Sequence, residues 1–277
     1  MSKKKLARMI GVCTVAIMII VVITILPSCQ LQTSKPPTYG LQFDGVDDDV
    51  DLGANASLKP TAALTVAAWI NLQTPTTSRE PAVVGNARHT TPQVGGYELL
   101  VTPVGIWNGT YWNGEWTVIT SYNISLMLHR GVAQGQADWR GFVSANISTA
   151  KLENQWHHIV AVFDKPTIEI FVDGEEEATA SYNYDVNYNV TTITLIGASN
   201  WERASQRFSG TISEVRIYNR ALDATEIKGL YTGSDVTNGL VGYWKLDEGS
   251  GTIAHDSTAN NNTGTLYGSP VWFTGGG

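Results

Sequence analysis

The chain has 277 residues, of which 43% are hydrophobic and 16% charged, with a formal net charge of −7. So acidic a surface repels phosphate backbones and excludes nucleic acid as an expected partner. Both cysteines, Cys13 and Cys29, lie near the N-terminus, so the remainder has no internal disulfide and no cysteine-based zinc site.

Lys3, Lys4, Lys5 and Arg8 precede an uncharged run over residues 9–26, MIGVCTVAIMIIVVITIL. That order predicts a cytoplasmic N-terminus and an exported remainder. The run exceeds a signal-peptide core of about 7–15 residues and sits near the lower limit of a spanning helix, about 17–25. Leu26-Pro27-Ser28-Cys29 resembles a lipobox, apart from Pro27. Three outcomes stay open: a lipoprotein lipidated on Cys29, an uncleaved N-terminal anchor, or full secretion. All three place the domain outside the cytoplasm. Residues 1–29 are thus a leader, and 30–38 (QLQTSKPPT) a tether that Pro36-Pro37 keeps extended.

Short alternating runs follow: LTVAAWIN (64–71), GYELLVT (96–102), WTVITSY (116–122), ISLMLHR (124–130) and RGFVSAN (140–146). HHIVAVF (157–163) and TIEIFVD (167–173) come next, then TTITLIGA (191–198) and GTISEVRIY (210–218). Asp173-Gly174 signals a type I′ turn, whose two central residues both need φ > 0. Many short strands with Gly, Asn and Asp between them predict an all-β antiparallel sandwich. One short helix is expected over Ala224–Tyr231, capped by Asp223 with Glu226 completing a capping box.

Three segments carry a family resemblance: YGLQFDGVDDDVDLG (39–53), QWHHIVAVFDKPTIEIFVDG (155–174) and GTISEVRIYNRALDATEIKGLY (210–231). Together they resemble the LamG-like jelly rolls of the laminin G and concanavalin A-like lectin/glucanase superfamily, over residues 39–232. Residues 239–277 resemble the segment that opens a domain of that family. Here the segment follows the domain. Either it folds back into the sandwich, or it is the stub of a second repeat.

The resemblance implies fold more firmly than activity, because this fold hosts lectins, adhesion modules, spacers and some glucanases. Glucanases of the superfamily place acids on one strand as E-x-D-x-(x)-E, a pattern not found here. Glu175-Glu176-Glu177 and Asp247-Glu248 are neighbours, which point to opposite strand faces and build no facing pair. His157-His158 cannot readily share one ion for the same reason, and reads as scaffold.

The resemblance also implies a structural calcium between an early and a late strand. The early motif Phe43-Asp44-Gly45 is intact. The late one reads Ile212-Ser213-Glu214-Val215, with serine where the family carries aspartate. Asp44 and Glu214 are therefore the candidate Ca²⁺ ligands, against turn chemistry and surface charge as the plain alternative. The acidic run Asp47, Asp48, Asp49, Asp51 fails the EF-hand register at Leu52 and Leu58.

Aromatics give the strongest binding signal. Trp107, Tyr111, Trp112 and Trp116 crowd ten residues with two Asn-Gly turns. Sugar rings offer apolar C–H faces with outward hydroxyls, which suits exposed aromatic faces beside polar groups. Trp107, Tyr111 and Trp112, with Trp139 and Trp201 as a wall, form the candidate carbohydrate site. Trp116 opens an alternating strand and is expected in the core. Tyr182, Tyr184 and Tyr188 are a weaker second candidate. N-glycosylation sequons stand at Asn55, Asn108, Asn123, Asn146, Asn189 and Asn261.

The expectation is an exported, membrane-tethered, non-catalytic module at the cell surface, whose partner is a glycan or a surface or matrix protein. A ligand-free spacer is the alternative, and a glycoside hydrolase the remote one.

Overall fold

The computed structural model describes residues 34–75, 78–87, 95–109, 114–130, 140–188, 191–200 and 206–275. Residues 34–277 form one compact unit, separate from 1–33. The predicted leader helix and Cys29 lie outside the described residues, as do Tyr111, Trp112, Trp139 and Trp201.

The strands in chain order are β1 (Tyr39–Asp44), β2 (Asp49–Asp51), β3 (Ala63–Leu72), β4 (Ala82–Gly85), β5 (Gly95–Gly109), β6 (Gly114–Arg130), β7 (Arg140–Ser148) and β8 (Trp156–Asp164). Then come β9 (Thr167–Val172), β10 (Glu175–Ser181), β11 (Leu195–Ile196), β12 (Ser209–Tyr218), β13 (Leu240–Trp244), β14 (Ile253–Ala254), β15 (Gly264–Tyr267) and β16 (Val271–Thr274). Helix α1 (Thr149–Leu152) is a single turn, and α2 (Ala224–Tyr231) is the helix expected from the sequence. Among the described residues the strands form two antiparallel sheets. The first has the order β10-β9-β8-β3-β12-β1-β16, with β13 also on β12; the second runs β14-β15-β2-β11-β4-β5-β6-β7.

The sheets face each other across one core. Leu41, Val66, Ile70, Ile159, Phe163, Ile212 and Ile217 come from the first sheet, and Val50, Tyr97, Leu99, Ile124, Leu126 and Ile196 from the second. β3 reads as a near-continuous apolar run because both of its faces are covered. Its other face meets α2, where Ala67, Val160, Val162, Phe171, Tyr218, Ile227 and Leu230 form a second cluster. Asp223 and Glu226 close the capping box: the Glu226 N–H donates to Asp223 Oδ1 at 2.9 Å, and the Asp223 N–H to Glu226 Oε2 at 3.1 Å.

The Asp173-Gly174 turn is as expected, with φ of 55° and 79°. His157 Nδ1 lies 2.8 Å from Asp173 Oδ2, and the His158 N–H donates to Asp173 Oδ1 at 3.0 Å, so the strained corner is pinned from β8. The two histidines do diverge. His158 is fully buried on the α2 side, its ring 5.2 Å from that of Trp69 and 6.4 Å from that of Tyr231.

Residues 239–277 fold back. β13 pairs with β12, β15 with β2, and β16 with β1. Trp244, Leu246 and Ala254 join the main core, and Trp244 Nε1 donates to the Asn262 carbonyl at 2.9 Å. Asp256 holds the loop between, accepting from the N–H groups of Tyr243, Thr258 and Asn262.

Some strands differ from the sequence reading. The runs 116–122 and 124–130 are one 17-residue strand, β6, which pairs with β5 as far as its tip. Of 191–198 only Leu195–Ile196 is strand, although Thr194 still exchanges backbone hydrogen bonds with Leu52 and Gly53. The predicted core residue Trp116 is half-buried on the outer reach of β6 and is not part of the buried core cluster.

Two outcomes follow for residues 34–277. Trp244→Ala empties a fully buried indole site and should cost about 3–5 kcal/mol in urea unfolding. Burial, reinforced by nearby Arg216, lowers the His158 pKa from 6.5 to about 3. The unfolded state then binds the extra proton, so stability should fall as pH drops from 6.5 towards 3. In His158→Phe that slope should be shallower; an unchanged slope counts against the buried neutral imidazole.

Candidate functional site

The site begins with an excess of strand. β5 and β6 share the core as far as Val101 and Tyr122, with the partly buried Ile119 packed against its margin. Beyond Pro103 the two strands continue paired to Gly109 and Gly114 as a projecting arm, with register shifts at Val104/Gly105 and Ile106/Trp107. Such bulges twist a ribbon away from its sheet. Ile106 is 61% and Val118 47% exposed, a costly display for aliphatic side chains.

Trp107 and Trp116 are cross-strand partners on this arm. Their rings are 5.2 Å apart at 71°, an edge-to-face pair. The Trp116 Nε1–H donates to the Ser78 carbonyl at 3.0 Å, and the Arg79 guanidinium stands 5.8 Å from the Trp107 ring centre. The arm is thereby stapled to the loop before β4. It presents indole, guanidinium and the exposed Asn108 and Glu115 together. The pairing was legible only as a symmetry of Trp107 and Trp116 about the two Asn-Gly steps. Phe142, 56% exposed on β7, is a separate exposed apolar side chain of the second sheet, opposite Met127 and away from the arm. Four residues along β7, Asn146 Nδ2 donates to Asn123 Oδ1 at 2.9 Å and to Ser121 Oγ at 3.0 Å.

The same face holds a polar group the sequence did not reveal. The Ser199 hydroxyl donates to Glu98 Oε1 at 2.5 Å, and His129 Nε2 lies 3.4 Å from Glu98 Oε2. All three are fully buried, so this carboxylate is closed to a substrate. Glu175, Glu176 and Glu177 are exposed on edge strand β10, Glu175 pairing with Lys228 at 2.5 Å. Of the second aromatic candidate, Tyr182 is buried and Tyr184 exposed; the Tyr188 hydroxyl donates to the Pro60 carbonyl at 2.6 Å, a structural use.

The expected pairing of Asp44 with Glu214 is corrected by register. Asp44 lies opposite Ser209 and Leu41 opposite Ile212, which puts Glu214 level with Tyr39, at the other end of β1. Five residues at about 3.3 Å each separate the two positions. Glu214 sits instead on a bulge at φ 50°, 2.9 Å from Arg216. Asp44 has other company: carboxylate oxygens of Asp44, Asp47 and Asp48 lie within 4.8 Å of one another. Asp48 is positioned by the N–H groups of Asp44 at 2.9 Å and Ser269 at 2.7 Å. Burial, with the charges of Asp44 and Asp47, raises its pKa above the usual 3.8 despite those hydrogen bonds. A cleft of about 530 Å³ opens beside the cluster, with Gln42 and Gln73 on its walls. The donor set is all hard oxygen, which fits a calcium ion.

A family model described as the concanavalin A-like lectin/glucanases superfamily, of laminin G type, matches residues 44–228. Among solved structures, a candidate carbohydrate-binding protein from Bacteroides ovatus is 20% identical, with a TM-score of 0.58, over 87% of this chain and 60% of that one. A SAP-like pentraxin from Limulus polyphemus is 12% identical, with a TM-score of 0.52, over 86% of this chain and 95% of that one. At those identities the likeness is one of fold. A stretch of 134 residues is 25% identical to adhesion G-protein coupled receptor V1 of Danio rerio, covering 48% of this chain and 2% of the receptor.

Proposed function

The chain belongs to the concanavalin A-like lectin/glucanases superfamily, and from that premise we propose that it is an exported, non-catalytic module that binds carbohydrate. The observation that carries this reading is the projecting arm, with Trp107 and Trp116 fixed edge to face beside Arg79. A pyranose can lay its C–H face on the half-buried indole while guanidinium, Asn108 and Glu115 meet its hydroxyls. The site is held before ligand arrives, which limits the ordering cost of binding. The leader ties the module to the membrane, by lipid on Cys29 or as an anchor helix. Its non-catalytic character is supported by the burial of Glu98 and by the outward, scattered acids of β10.

A surface or matrix protein is a second partner class, supported by exposed Ile106, Val118 and Phe142. A calcium ion on Asp44, Asp47 and Asp48 would offset the burial and the neighbouring charges that raise the Asp48 pKa. It would lock the β1–β2 turn against the tail at Ser269.

A glycan array probed with residues 34–277 tests the main reading. Trp107→Ala is expected to weaken glycan binding at least about tenfold, since one aromatic stacking contact is worth about 0.5–1.5 kcal/mol beyond buried area. A blank array, or binding indifferent to Trp107, contradicts it. For calcium, 1 mM Ca²⁺ should raise the melting temperature of the native sequence and leave Asp44→Asn/Asp47→Asn unmoved. Superimposable curves with Ca²⁺ and with EGTA remove the ion from the account.

A further inference from the structure

A second groove lies on the opposite sheet, where β12 changes partners. Residues 209–212 of β12 pair with β1, and residues 215–218 pair with β13. β13 and β1 are therefore laid end to end along one side of β12. They do not meet. Glu214 on β12, where the partner changes, and Leu246, just past β13, both take left-handed conformations, φ 50° and 58°. Neither is glycine, so each bend carries a cost that surrounding structure must hold in place.

The gap is a groove of two joined lobes, about 240 and 460 Å³. Lys35, Glu214, Tyr243 and Lys245 line both lobes. Trp69 walls the larger, and Tyr39, 49% exposed, stands at the smaller. The size suits a small molecule, which usually takes roughly 300–1,000 Å³.

The polar groups have a definite sense. Arg216 is spent inside the protein: it donates to Glu214 Oε2 at 2.9 Å and to the Tyr243 hydroxyl at 2.7 Å, and stacks 4.0 Å over the Tyr243 ring. Asp235 lies farther from it, at 3.9 Å. Because the Tyr243 oxygen accepts from Arg216, its own hydrogen is left to donate. Burial pushes the Tyr243 pKa up to about 12, so that proton stays on. The ammonium groups of Lys35 and Lys245 have no acceptor among the described residues. Asp247 is the remaining carboxylate on the rim. Two free ammoniums and a phenol thus face one groove in a chain of net charge −7.

We infer that this groove binds a carboxylate carried on a hydroxyl-bearing small molecule, the chemistry of a uronic acid residue. Lys35 and Lys245 take the carboxylate, the Tyr243 hydroxyl donates to it or to a neighbouring oxygen, and Glu214 accepts from a ligand hydroxyl. The inference does not depend on the aromatic arm, which is on the other sheet.

Titration calorimetry of residues 34–277 with oligogalacturonate, its methyl ester and gluconate tests it. Oligogalacturonate should bind, and the ester at least about tenfold more weakly, as expected for hydrogen bonds to a charged group. Binding should weaken as salt rises from about 50 to 500 mM. Lys35→Gln and Lys245→Gln, both at exposed positions, should each reproduce the loss. Gluconate binding as tightly as the oligosaccharide supports the carboxylate chemistry and identifies a free hydroxy acid as its source. Equal binding of acid and ester, indifference to both lysine substitutions, or no binding of any probe overturns the inference.

Discussion

The structure depends on β12 being paired along both sides. One side takes β3 over most of its length, while the other is shared by β1 and β13. β1 comes from the start of the compact unit and β13 from the returning tail. Removing either leaves half a central strand without ladder partners, and unpaired backbone in such a position costs free energy and invites aggregation. The partner change also forces the bulge at Glu214, because a strand serving two unaligned neighbours cannot keep one register. The tail is thus part of the domain, supplying edge strands to both sheets.

How much of this was legible in the sequence varies with the range of the interaction concerned. Local chemistry read well. Asp223 with Glu226 gave the helix start, and Asp173-Gly174 gave the hairpin, since each depends on a few adjacent residues. Non-local register did not read. Asp44 and Glu214 belong to motifs that sit together in the family pattern, yet the ladder slides them apart by five residues of β12. The acids that do converge, Asp44, Asp47 and Asp48, are close in sequence; a tight turn gathers them, and that turn was masked by the failed EF-hand comparison. The arm misled for a different reason. Trp116 opens an alternating run like a core residue, but nothing in the sequence says that the buried part of β6 begins only farther along the strand. Glu98, Ser199 and His129 were equally silent, coming from three separate segments.

Rigid sandwich and proposed binding surfaces are divided in this molecule. The core fixes the sheets, and the proposed surfaces are what projects from them or opens between them. The arm adds an aromatic edge at one end of β5 and β6. The acidic turn and the β1–β13 gap are corners created by the way the chain ends are tied together. A fold that hosts many functions does so through such additions, which can change while the core ladder stays. Glu98, on β5 of the second sheet, is fully buried beside Ser199 and His129.

The central claim is that the tail completes the sandwich, and amide hydrogen exchange on residues 34–277 tests it most directly. If β13 and β16 are integral, their amides should exchange as slowly as those of β12, opening only in global unfolding. Fast exchange over residues 240–244 and 271–274, with residues 210–218 still protected, would show a sandwich that stands without its tail and would contradict the account.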